Sequence, residues 1–233
     1  MATLLELCVE AIEGVDSFNA PSSIIGNDDP TAVLLKSAAT KVGRELARDT
    51  RWQVLQSDYS FATVAATPNY ALPADIQRTS SLTFWNVTEG RPLIGPQSAI
   101  SWAALTRGIF SSVINYSMRV KGGFLYLSPT PTSIQTIGYD YYSKYFCTNP
   151  GGTPIANWAT DSDIWRLDPD LLVLGIQYHF RADKGLPFAK QQADYASAVM
   201  SLQFDDTPKA LIDVTGVCRG RWDDIPDGNF GIP

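Results

Sequence analysis

The spacing of apolar residues changes along the chain, and each change predicts a different kind of element. Near the N-terminus apolar side chains recur every three or four positions, which predicts a helix with one buried stripe. These are Leu4, Leu5, Cys8, Ala11, Ile12 and Val15. A second helix with the same period is predicted from Pro30 to about Thr50. From Trp52 onward the period becomes two, which is typical of strands.

Short strands are predicted through the middle of the chain. They cover residues 53–66, 69–72, 79–88, the region from about 113, and the aromatic-rich run 135–146. Gly122-Gly123, between two apolar runs, predicts a hairpin. A short helix is expected at about 96–107.

Helical patterns return after a loop predicted at 147–163. The helix after Asp168-Pro169 is apolar on most sides, which indicates burial, and another helix is predicted from Pro187 to about Phe204. Beyond Asp206 no periodicity is sustained, so an extended arm is expected.

This order of elements predicts an α+β protein. Both ends of the chain build a helical bundle, an antiparallel β-module is inserted into it, and an extended arm follows at the C-terminus. The predicted units are 1–52 (bundle, first part), 53–150 (β-module, with the short helix near 96–107), 151–206 (bundle, second part) and 207–233 (arm).

Three residues have the features of helix caps. Thr3 stands three positions before Glu6, which is the spacing of a capping box. Asp29 and Asp168 each precede a proline, and an N-cap acid followed by proline at the first helical position is a strong start signal.

The segment Leu72-Pro73-Ala74-Asp75 separates two short apolar runs. Proline fixes one backbone angle and biases Leu72 toward an extended form. We expect a rigid corner of the β-module here, with the Asp75 side chain capping the turn.

The charge balance limits the partners. The net charge is −6 and the pI about 4.7. Proteins that bind nucleic acid phosphates or anionic membranes are usually basic, so neither is an expected partner. No apolar run is long enough to predict a membrane-spanning helix. The three cysteines, Cys8, Cys147 and Cys218, are widely separated and predict no disulfide framework, so a reducing cytoplasm is expected.

Candidate chemistry is sparse, and neither a catalytic residue, a metal nor a cofactor is predicted. His179 is the only histidine, and it is interpreted as a packed or partly exposed helix residue. Carboxylate groups occur at Asp28 with Asp29, at Asp161 with Asp163, and in the run "DDIPDGN". The last lacks the ligand spacing of a calcium loop. A glycosidase pair stays open, because any two carboxylates can meet in space.

The arm combines apolar, aromatic and basic residues, which is typical of a docking segment and not of a purely disordered tail. Packing of the arm on its own subunit is the alternative. The candidate partner-docking residues are Arg219, Arg221, Trp222, Ile225 and Phe230.

Several segments together resemble a known family. They are "DDPTAVLLKSAATKVGREL", "RDTRWQVLQSDYSF", "YALPADIQR" and the terminal "DDIPDGNF". In this order they resemble the head-to-tail adaptors of short-tailed bacteriophages, the tail accessory factors and tail-tubular adaptors.

The resemblance implies a non-enzymatic virion protein at the head–tail junction, made in the host cytoplasm. Such adaptors form a homo-oligomeric ring of twelve beneath the portal, extend the DNA channel without binding DNA specifically, and receive the tail tube or nozzle protein. Their C-terminal arm docks on the portal, although docking on a neighbouring subunit stays open. The alternatives are a tail-associated cell-wall hydrolase and a monomeric carbohydrate- or protein-binding β-module.

Overall fold

The computed structural model describes residues 2–13, 15, 19–80, 83–107 and 115–206. Within them it has the predicted α+β architecture, with antiparallel sheets between helices at both ends. The helices are α1 (Leu4–Glu13), α2 (Pro30–Asp49), α3 (Ala99–Arg107), α4 (Pro169–Asp183) and α5 (Ala189–Asp206). The arm, residues 207–233, lies outside the described residues.

Helix α4 is the centre of the helical bundle, since α1, α2 and α5 all pack against it. Its buried side chains include Leu172 and Ile176, as its apolar pattern predicts. Two glycines allow close approach at the α2 interface. A Cβ on Gly175 would stand 2.7 Å from Val42, and one on Gly43 would stand 2.6 Å from the Phe146 ring. Larger residues would clash with Val42 of α2 at the first position and with the Phe146 ring at the second.

The strands of the first half of the chain are short. They are β1 (Gln56–Ala62), β2 (Asn69–Ala71), β3 (Ile76–Thr79), β4 (Trp85–Asn86) and β5 (Arg91–Pro92). The remaining strands are β6 (Ser117–Lys121), β7 (Phe124–Ser128), β8 (Thr136–Ser143), β9 (Cys147–Thr148), β10 (Pro154–Ile155) and β11 (Ile164–Trp165).

Strand β8 organises the largest sheet, where β1, β3 and β4 pair with it and β5 extends β4. A second sheet has the order β2-β7-β6. The β6–β7 hairpin turns at Gly122 and Gly123, whose φ angles are +60° and +79°. Only glycine adopts these angles readily, so the predicted hairpin is confirmed.

Buried apolar residues form two separate clusters. The first lies in the helical bundle and includes Leu35, Val42 and Ile176. The second lies between the sheets of the β-module and includes Phe84 and Met118. Phe146 and Cys147 pack in the helical cluster, although the division at residue 150 assigned them to the β-module.

Three secondary-structure predictions differ from the structure. The strand predicted at 53–66 begins with a 3₁₀ turn, Gln53–Leu55, and its strand part is confined to Gln56–Ala62. The loop predicted at 147–163 contains β9 and β10, which form a small sheet with β11. The strand predicted at 79–88 is divided between β3 and β4. At the division the Thr83 hydroxyl donates to the Ser80 carbonyl and accepts from the Asp140 amide, so a side chain replaces the regular ladder.

Candidate interaction surfaces

The Leu72–Asp75 corner is tied to its neighbours by both backbone and side chain. The Leu72 amide donates to the Gly123 carbonyl at 3.1 Å, and the Ile76 amide closes the turn on the Pro73 carbonyl at 3.2 Å. The Asp75 carbonyl accepts from the Lys144 amide at 2.7 Å. The corner is therefore joined to both the β6–β7 hairpin and the end of β8.

The Asp75 carboxylate has a different role from the predicted turn cap. It accepts hydrogen bonds from the Tyr141 hydroxyl at 3.0 Å and from the Ser143 hydroxyl at 2.8 Å. Both partners lie on β8 and are buried. Burial, and then the neighbouring Asp75 carboxylate, raise the pKa of Tyr141 to about 12. The carboxylate thus anchors the corner to the central strand while the backbone closes the turn.

The three cap candidates all lie at helix starts. The Thr3 amide donates to the Glu6 carboxylate at 2.8 Å. Asp29 accepts from the Thr31 amide at 3.2 Å, and Asp168 accepts from the Asp170 amide at 2.9 Å. These contacts satisfy amides that the helices leave unpaired at their first turns.

The carboxylate pair Asp161 and Asp163 holds loops together. Asp161 accepts from the amides of Ile24 and Ile25, the shortest contact being 2.7 Å. Asp163 is 1% exposed and accepts from the Ala159 and Thr160 amides and the Thr160 hydroxyl. Both carboxylates accept from backbone amides, and that of Asp163 also accepts from a hydroxyl, so this pair has a structural use.

His179 lies on α4 beside α2. Its Nε2 is 3.5 Å from the Glu45 carboxylate, beyond good hydrogen-bond distance. Asp183, one turn later, pairs with Lys41 at 3.0 Å and not with the histidine. The packed, partly exposed position agrees with the interpretation as a helix residue.

The described residues contain neither a cluster of metal-ligating side chains nor a membrane-spanning helix. No group of three or more His, Cys, Asp or Glu side chains there is placed to hold a metal ion. In those ranges none of the helices has both the length and the apolar character needed to cross a membrane.

A surface that the sequence did not single out lies on the outer face of the β6–β7 hairpin. Along β6, Met118 and Val120 turn toward the β-module core, so Arg119 and Lys121 share the opposite face. Tyr126 of β7 pairs directly with Arg119 and therefore lies on that face as well. The alternation of side chains in the strand "SMRVK" indicates that Arg119 and Lys121 share one face. The position of α3 beside that face could not be predicted from the sequence.

Helix α3 completes this surface. It buries none of its residues, and its Trp102 ring packs edge-on to Tyr126, with ring centroids 6.5 Å apart. A groove of about 340 Å³ lies between the helix and the hairpin. We call it the cationic groove, and its defining residues are Trp102, Thr106, Arg107, Arg119, Lys121 and Tyr126.

A second exposed surface is the outer face of α5. Tyr195 is its only buried residue, while Met200 and Phe204 are each 72% exposed. The helix ends beside the start of the β-module, where Asp206 accepts from the Gln53 amide at 2.7 Å. The chain therefore leaves the described fold at the junction of bundle and β-module.

The five docking candidates of the arm, Arg219, Arg221, Trp222, Ile225 and Phe230, lie outside the described residues.

A family model with the description SU10 adaptor protein matches residues 2–215 of the chain. The curated proteins include no match.

Proposed function

The chain belongs to the SU10 adaptor protein family, and from this premise we propose that it forms a ring between the portal and the tail of a bacteriophage. The carrying observation is the extent of the family match, which spans both helical segments and the β-module. An adaptor role in the phage virion, in association with portal and tail proteins at the head–tail junction, follows from the family. The ring, its position beneath the portal and its twelve subunits are the finer parts of the proposal.

The exposed face of α5 supports assembly with other chains. One side of α5 packs against its own subunit, through Tyr195 and the contacts with α4, and the opposite side is left for other chains. Met200 and Phe204 leave apolar surface in water, and contiguous exposed apolar surface commonly marks a protein interface. We assign this face to contacts within the ring or with the portal.

The acidic composition supports a channel through which DNA slides. With a net charge of −6, a ring of these subunits repels DNA phosphates and does not bind them specifically. The tail tube or nozzle protein is the proposed partner below the ring. The protein acts without catalysis in this proposal.

The arm is proposed as a docking element of the connector, through Arg219, Arg221, Trp222, Ile225 and Phe230. Aromatic residues and arginine most often dominate interface energies. The corner at Leu72, Pro73 and Asp75 is proposed to keep the β-module in a fixed geometry during assembly.

The decisive experiment mixes the purified protein with its portal. Light scattering should show a monomer or weak oligomer alone, because interface segments lack their partners. Electron microscopy of the mixture should show twelve-subunit rings on the portal. A protein that stays monomeric and does not join the portal would refute the adaptor ring.

A further inference from the structure

The cationic groove concentrates positive charge on an acidic protein. Arg119 and Lys121 share one face of β6, and Arg107 at the end of α3 lines the same groove. None of the ion pairs in the described part of the chain involves these three cations. Their charges are therefore available to an anionic partner.

The walls of the groove favour a polypeptide ligand. Trp102 and Tyr126 are only partly buried, so ring surface is available beside the cations. Aromatic rings and arginine together are typical of the anchoring part of protein interfaces. Nucleic acid is the weaker candidate, because the net charge of −6 opposes the approach of a long polyanion.

The chain itself contains a segment of the complementary chemistry. Residues 222–230, "WDDIPDGNF", carry the carboxylates of Asp223, Asp224 and Asp227 and no basic residue. Trp222 and Phe230 flank these acids. Three carboxylates between two aromatic residues match three cations beside two aromatic residues.

We propose that the cationic groove binds residues 222–230 of a second copy of this chain, so that the arm of one subunit fastens it to its neighbour. This rests on the proposed ring and names one contact within it. The described fold ends at Asp206, and residues 207–221 reach at most about 50 Å when fully extended. The arm can therefore contact a neighbouring groove that lies within about 50 Å of the end of α5.

The first test measures binding of a fluorescein-labelled peptide of residues 219–233 to the full-length protein by fluorescence anisotropy. Arg119→Glu with Lys121→Glu should weaken binding at least about tenfold, as expected when two attractive charges become repulsive. The matched control is Arg91→Glu with Lys144→Glu, which changes the net charge equally at exposed positions of the β-module outside the groove. The control should bind like the wild type.

A charge-swapped peptide distinguishes lost charge attraction from misfolding of the groove variant. Asp223→Lys with Asp224→Lys in the peptide should restore binding to Arg119→Glu/Lys121→Glu, with circular dichroism confirming the fold of each variant. Equal affinity of groove and control variants for the wild-type peptide would overturn the proposal. If the groove substitutions weaken binding of a double-stranded oligonucleotide but not of the peptide, the groove is a nucleic-acid site instead.

Disulfide trapping decides which chain supplies the arm. Thr106→Cys and Ile225→Cys are combined with Cys218→Ser and oxidised. Cys8 and Cys147 are buried, and burial raises the pKa of each to about 12, so they remain unreactive thiols. Chains linked to one another on a denaturing gel support the proposal, and links confined to single chains overturn it. Failure of the wild-type protein to join the portal would refute the proposed ring. The peptide-binding and disulfide-trapping results would still show whether the groove binds the arm.

Discussion

At the residue scale, Asp75 shows how one carboxylate connects distant parts of the β-module. Its partners Tyr141 and Ser143 lie far along the chain on β8 and are buried. Hydrogen bonds to a charged acceptor are among the stronger polar contacts. If the carboxylate is removed, two buried hydroxyl groups lose their acceptor.

We therefore expect Asp75→Ala to lower the free energy of unfolding by about 2–3 kcal/mol. Chemical denaturation measures the change. Tyr141 should titrate at a lower pH in this variant, because the Asp75 carboxylate contributes to its raised pKa. Asp194→Ala, at an exposed position on α5, is the control and should leave stability near that of the wild type. An equally stable Asp75→Ala would contradict the anchoring role.

A second residue-scale feature is a pair of like charges across two strands. Asp58 of β1 lies directly opposite Asp140 of β8. Burial, and then the charge of Asp58, raise the pKa of Asp140. Because its folded-state pKa exceeds the unfolded value, Asp140 costs stability at neutral pH. That cost disappears as the pH falls through the folded-state pKa toward the ordinary carboxyl range.

Asp58→Asn should therefore stabilise the protein by about 0.2–1 kcal/mol at pH 7, the usual size of a cross-strand pair effect. The gain should shrink on acidification, once Asp140 takes up its proton. Thermal melts across this pH range test it, with Asp194→Asn as a control for the change in net charge. A gain that stays constant into the acid range would exclude relief of repulsion as its cause.

At the scale of elements, α2 and α4 begin in the same way. In each, an aspartate accepts a hydrogen bond from the amide two residues later, and proline occupies the first helical position. Asp29 and Asp168 are both exposed, so their caps depend on local geometry and not on burial. α4 contacts the other three helices of the bundle, which makes its start part of the bundle's stability.

Replacing either cap, in Asp29→Ala or Asp168→Ala, should cost about 0.5–2 kcal/mol of stability. The neighbouring Asp28→Ala removes the same charge without removing a cap hydrogen bond and should cost less. Thermal melts compare the three variants. If Asp28→Ala destabilised the protein as much as Asp29→Ala, charge near the helix start would explain the effect better than capping.

At the scale of the whole molecule, the proposed assembly uses surfaces that the described part of the chain leaves exposed. The outer face of α5 and the cationic groove belong to different parts of the fold, the helical bundle and the β-module. The arm begins where these parts meet, beside the Asp206–Gln53 contact. In the proposed connector, the arm would link one subunit to another component from this point.

Deleting residues 208–233 should leave a folded protein that no longer joins the portal as a ring. Trp222→Ala alone should weaken joining by about 2 kcal/mol or more if Trp222 is an interface hot spot. Co-sedimentation with portal measures joining, and circular dichroism confirms the fold. If the truncated chain sediments with portal as well as the full chain does, the docking contacts lie on α5 or elsewhere on the bundle.

The sequence by itself determined the features that depend on neighbouring residues. The periods of apolar residues indicated α1, α2 and α4, and the diglycine marked the β6–β7 hairpin. Acid–proline pairs mark the first residues of α2 and α4. These features follow from capping, backbone angles and side-chain period within a few positions. Short motifs spread over most of the chain were enough to suggest the adaptor family.

Only the tertiary structure decided which distant residues meet. It brought Asp75 to Tyr141 and Ser143, Asp161 to Ile24 and Ile25, and Trp102 to Tyr126 beside the cations of the groove. The period of a strand shows which residues share a face, but not which strand lies beside it. Pairing and packing join segments far apart in sequence, and the choice among them depends on the fit of the whole core.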